Sequence, residues 1–140
     1  MRKKILCFTL CLMVLCFSSH PKTYGAETNK NEDNQKLMSL YKKVETLTTI
    51  PWYVFAAIDQ YERNVRHSRR DIPKAPGLIE IYIKPEVWAG PLNPNQKDTD
   101  PRTIGLFGGI GVDGNGDKKA EPTNDEDVLY TIANYLQSYG

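Results

Sequence analysis

The chain has 140 residues, 18 of them basic and 17 acidic, for a formal net charge of +1. That balance leaves no basic footprint for nucleic acid, and the length allows one modest hydrophobic core. The three cysteines (Cys7, Cys11, Cys16) all lie near the start, so the chain beyond residue 26 has no disulfide, reactive thiol or cysteine metal ligand.

Arg2, Lys3 and Lys4 precede an apolar run from Ile5 to Phe17 and a polar stretch to Ala26, which is the layout of a signal peptide over residues 1–26. The run falls short of the roughly 20 apolar residues of a membrane span. Cleavage and export are therefore expected. Tyr24 stands where a small residue is preferred before a cut after Ala26, and Leu15 is unsuited to a lipid-attachment signal at Cys16. Removing these residues leaves 14 basic against 17 acidic side chains, a net charge of −3.

Residues 27–35 are polar and poor in apolar side chains, as in a disordered lead-in. Leu37, Leu40, Tyr41, Val44 and Leu47 then recur at helical spacing. A second helix is expected from Pro51, a residue suited to a first helical position, to about Arg66, with Phe55, Ile58, Glu62 and Val65 on one face. After the Lys74–Gly77 breaker, Leu78 to Ile83 alternates as a short strand with Ile79, Ile81 and Ile83 on one side, ended by Pro85. From Trp88 to Gly111 the composition predicts a long ordered loop. A last helix is expected from about Asn124 to Tyr139, burying Val128, Leu129, Ile132, Ala133 and Leu136, with Gly140 as its C-terminal cap.

Two places carry candidate chemistry. Glu62, an acid interleaved with apolar residues, is a candidate general acid, because desolvation keeps a carboxyl protonated. The competing reading pairs it with Arg66 one turn later. Asp113, Asn115 and Asp117 present oxygen side chains at alternate positions of a glycine-containing turn, the arrangement a hard cation such as calcium requires. As an EF-hand the loop is imperfect, with Lys118 at the sixth position and Asn124 at the twelfth. Asp127 can supply the further carboxylate and Lys119 a backbone carbonyl; alternatively, Asp113 and Asn115 form turns and Asp127 lies in the first turn of a helix capped by Asn124. His67 has no second histidine beyond residue 26, which disfavours a zinc centre. The Arg66, Arg69 and Arg70 run is either a solvated face or a contact for an anionic polymer.

Three segments resemble the lytic murein transglycosylases, especially the B-type branch with its lysozyme-like domain. Ile50 to Glu62 looks like the helix ending in that family's catalytic glutamate, Asp113 to Asp127 is similar to its calcium loop, and Ala133 to Gly140 looks like the following helix. The resemblance implies a mostly α (α+β) fold over residues 36–140, with a short strand region and a calcium-binding loop. It further implies Glu62 as catalytic acid and base, Tyr135 facing the sugar cleft, and calcium held by Asp113, Asn115, Asp117, Lys119 and Asp127. Arg63 replaces the family's Ser or Thr, and Trp88 to Pro94 replaces its Gly-Met-x-Gln-type motif.

The segments Trp52 to Asn64, Trp88 to Asn95 and Leu106 to Asp117 are also similar to the transglycosylase-like N-terminal region of Gram-positive exported proteins that continue into a lysostaphin-type zinc endopeptidase. This implies a secreted or cell-wall-associated monomer acting on peptidoglycan glycan strands, and a piece of a longer protein with a C-terminal peptidase domain. The expected activity is single-glutamate cleavage of the MurNAc-GlcNAc bond; the alternative is a non-catalytic wall-binding module that positions an endopeptidase.

Overall fold

The computed structural model describes residues 24–69 and 71–139. Residues 1–23 of the expected signal peptide, with the three cysteines, and the expected Gly140 cap lie outside the described residues. The chain divides into two compact units, Met1–Lys30 and Asn31–Gly140. The second unit holds the buried core. No described helix is long and apolar enough to cross a membrane.

Among the described residues five helices form: α1 (Tyr24–Thr48), α2 (Trp52–Ser68), α3 (Pro85–Trp88), α4 (Pro101–Leu106) and α5 (Asp125–Tyr139). Residues 27–35, expected as a disordered lead-in, belong to α1. A helix nucleated by its apolar stripe propagates cheaply through good helix formers such as Lys30, Glu32 and Lys36.

The apolar stripe of α1 buries Tyr41 and Val44, with Leu37 and Leu40 at the margin of the core. Leu47, expected inside, is 61% exposed, and Thr48 is buried in its place. The helix stops there because Thr49 turns to a φ of 62°, and the Gln137 side chain caps the free Thr48 carbonyl at 2.7 Å. Pro51 precedes α2 as its N-cap, one position earlier than expected. Arg66 and His67 in the last turn complement the helix dipole.

The expected strand is the main correction to the fold. Residues 79–84 are extended and Ile79 and Ile81 are buried, but no strand forms among the described residues. A strand needs a ladder partner, and here carboxylates take the donors. Asp125 accepts from the Leu78 and Ile79 amides at 3.1 and 3.0 Å, and Asp59 accepts from the Glu80 amide at 2.6 Å. The fold is therefore mostly α.

The expected loop from Trp88 to Gly111 is ordered, as anticipated, and contains α4. Asp100 caps α4 through the Arg102 amide at 2.9 Å. Buried Asn93 ties the preceding turn to the Ala89 carbonyl at 3.1 Å and to Asp98 at 3.0 Å. Gly109 passes so close to the Trp88 carbonyl that a Cβ there would clash. The core gathers around Trp88, Phe55, Ile104 and Leu129, and the Trp88 indole donates to the Ala120 carbonyl at 3.1 Å.

Candidate functional site

The best-organised polar feature is the turn from Asp113 to Lys119 against the start of α5. Its winding depends on Gly116 and Lys118, both left-handed with φ of 85° and 72°. Asp113 accepts from the Gly116 and Lys118 amides at 2.6 and 2.7 Å. Asn115 accepts from the Asp117 amide at 2.8 Å, and Asp117 from the Lys119 amide at 2.8 Å.

Asp127 reaches the turn from α5. Asn124 caps that helix through the Glu126 amide at 2.9 Å, which sets Asp127 in the first turn, fully buried. Its Oδ1 accepts from the Gly114 and Asn115 amides at 2.8 and 3.3 Å, and its Oδ2 from the Glu121 amide at 2.8 Å. Burial pushes the Asp127 carboxyl above the usual carboxylate range, and the charge of Asp113 adds to this against the pull of the three amides.

Of the five residues expected to hold calcium, Asp113, Asn115 and Asp117 lie in the turn, and Asp127 hydrogen-bonds to it from α5. Lys119 stands two residues after Asp117, and its ammonium lies 4.0 Å from Glu121. Calcium takes carboxylate, amide and backbone carbonyl oxygens as ligands. Among the described residues no three His, Cys, Asp or Glu side chains are grouped so as to hold a metal ion.

Glu62 sits on α2, half-buried, with no hydrogen bond or salt bridge among the described residues. The expected pairing with Arg66 does not occur; Arg66 instead faces Glu80 at 3.4 Å. The fully buried acid of α2 is Asp59. It accepts from the Tyr41 hydroxyl at 2.7 Å and from Arg63 Nε at 3.0 Å, besides the Glu80 amide. Arg63 also donates to the Leu78 carbonyl, so Asp59 and Arg63 together fasten α2 to the extended segment. Tyr135, on the last turns of α5, is 44% exposed and packs against Tyr139 with ring centroids 4.7 Å apart. No hydrogen bond joins Glu62 to Tyr135.

Sequence reasoning missed the twofold acceptor role of Asp125 and the extent to which Arg66 is buried. Gly77 carried a usable signal for the first, since a Cβ at that position would collide with the Asp125 carboxylate.

Fold and site together define a small helical domain whose long connections are held by buried carboxylates. The chain is 51% identical over 129 residues to a protein of Bacillus subtilis (strain 168) described as an L-Ala–D-Glu endopeptidase. The aligned region covers 92% of this chain and 39% of that protein, so the chain spans well under half the length of this relative. No protein-family profile matches the chain, and no solved structure matches it.

Proposed function

We propose that the chain is an exported module that binds peptidoglycan and positions an endopeptidase on the cell wall. The observation that carries this reading is the extent of the likeness, which runs through nearly all of this chain and 39% of the endopeptidase. A bond between L-Ala and D-Glu is a feature of peptidoglycan stem peptides, so the relative's name points this chain to the wall. Exposed Tyr53, Tyr61, Tyr135 and Tyr139 offer flat apolar rings with a polar edge, the kind of surface that meets a sugar face. In this reading calcium, held by Asp113, Asn115, Asp117, Asp127 and the Lys119 carbonyl, pins the long connection to α5 and has no part in chemistry.

The test is to join the chain to an endopeptidase domain and compare turnover on intact walls with turnover on soluble stem peptides. A positioning module raises the first by about 100-fold or more through effective concentration and leaves the second unchanged. Equal effects on both substrates would refute the proposal.

A second reading is supported by Glu62, a half-buried carboxylate free of protein partners among the described residues. Here a lysozyme-like cleft cleaves the MurNAc-GlcNAc bond. Glu62 protonates the leaving oxygen, then takes the proton of the muramyl hydroxyl as a 1,6-anhydro ring closes. Glu62→Gln then abolishes release of anhydro-muropeptides while wall binding persists; undiminished release by the variant would dismiss this mechanism.

A further inference from the structure

A cavity of about 350 Å³ lies between the extended segment, the turn at residues 96–99 and the start of α5. That volume is at the lower end for a small-molecule site. Ile79, Ile81, Trp88 and Val128 make much of its wall apolar, and Arg66 of α2 contributes to it from one side. The Arg66 side chain is 7% exposed.

Its guanidinium is only half satisfied. Nη1 donates to the Pro73 carbonyl at 2.6 Å and faces Glu80 at 3.4 Å. Nε and Nη2 are buried with no hydrogen-bond partner among the described residues. Tyr82, 38% exposed, covers the group with its ring centre 5.6 Å from the guanidinium carbon. Unpaired buried donors are costly, more so on a charged group. Nε and Nη2 form the edge of the guanidinium that matches a carboxylate in two parallel bonds.

We propose that this cavity binds the C-terminal carboxylate of a short peptide with small apolar side chains, the carboxylate meeting Arg66 Nε and Nη2 as Tyr82 swings aside. The apolar walls take the side chains next to that carboxylate. The choice of peptide rests on the wall reading above: the peptide is a stem peptide ending in D-alanine. Nothing covalent happens in this cavity; it holds the peptide while the glycan-facing surface holds the strand.

The test is an NMR titration of the full chain, following the Arg66 Nε–H signal and the Ile79, Ile81 and Trp88 amides. The probes are N-acetyl-D-alanyl-D-alanine, its C-terminal amide and the L,L peptide. The D,D acid is expected to shift these signals saturably, and the amide to bind at least about tenfold more weakly, as loss of a charge-assisted pair requires. Arg66→Lys, with folding checked by circular dichroism, weakens the acid by about tenfold and leaves the amide unchanged. Equal binding of acid and amide, shifts elsewhere on the protein, or no response would overturn the inference; preference for the L,L peptide would overturn the wall assignment. Sedimentation with isolated walls is measured on the same sample. Wall binding without a peptide response removes this inference and leaves the module reading standing, whereas a D,D response without wall binding removes the module reading alone.

Discussion

The Tyr41 hydroxyl donates to the Asp59 carboxylate at 2.7 Å, joining α1 to α2 inside the core. Asp59 simultaneously holds Arg63 and the Glu80 amide, so one carboxylate links three segments. Tyr41→Phe removes one charged hydrogen bond and should cost about 1.5–3 kcal/mol. Asp59→Ala leaves Arg63 without its main buried partner and should cost about 3–5 kcal/mol. Urea unfolding measures both; equal, small effects would show that the junction contributes little.

The same pair sets the response to alkali. Burial, then the bond to Asp59 and its charge, raise the Tyr41 pKa well above the ordinary tyrosine value, against a smaller opposing effect of Arg63. A raised folded-state pKa stabilises the protein fully below the unfolded pKa of about 10, and this contribution is lost as pH climbs from there toward the folded value. The melting temperature should therefore fall more steeply above about pH 10 in the native chain than in Tyr41→Phe. Parallel profiles for the two proteins would contradict this.

These features show where the sequence was legible. The period of apolar residues located α1, α2 and α5, and Asn124 marked the start of α5. It did not say which acid of α2 faces inward. The stripe through Phe55, Ile58 and Glu62 and the one through Phe55, Asp59 and Arg63 differ by a small rotation about the helix axis, and only packing against Tyr41 selects the second. The extended segment was legible as alternation at Ile79 and Ile81. Its lack of a strand partner was not, because the groups that take its amides, Asp59 and Asp125, lie 21 and 46 residues away. The turn at Asp113 was legible because its hydrogen bonds are local.

Calcium should stabilise the protein through that turn. Asp127 is buried beside the charge of Asp113, so a cation at the turn relieves an unfavourable contact. At about 100 times its dissociation constant, a ligand specific for the folded state adds about 2.7 kcal/mol. Calcium should raise the melting temperature and a chelator reverse it. Asp117→Ala, an exposed position, should change the chelated protein by no more than about 1 kcal/mol while abolishing most of the calcium response. A melting temperature indifferent to calcium would exclude the site.

The most direct measurement incubates the purified protein with isolated peptidoglycan and calcium, then measures bound protein and analyses the soluble fraction by mass spectrometry. The positioning account gives saturable wall binding with no anhydro-muropeptides released. Absence of binding, or release of anhydro-muropeptides that stops with Glu62→Gln, would contradict it.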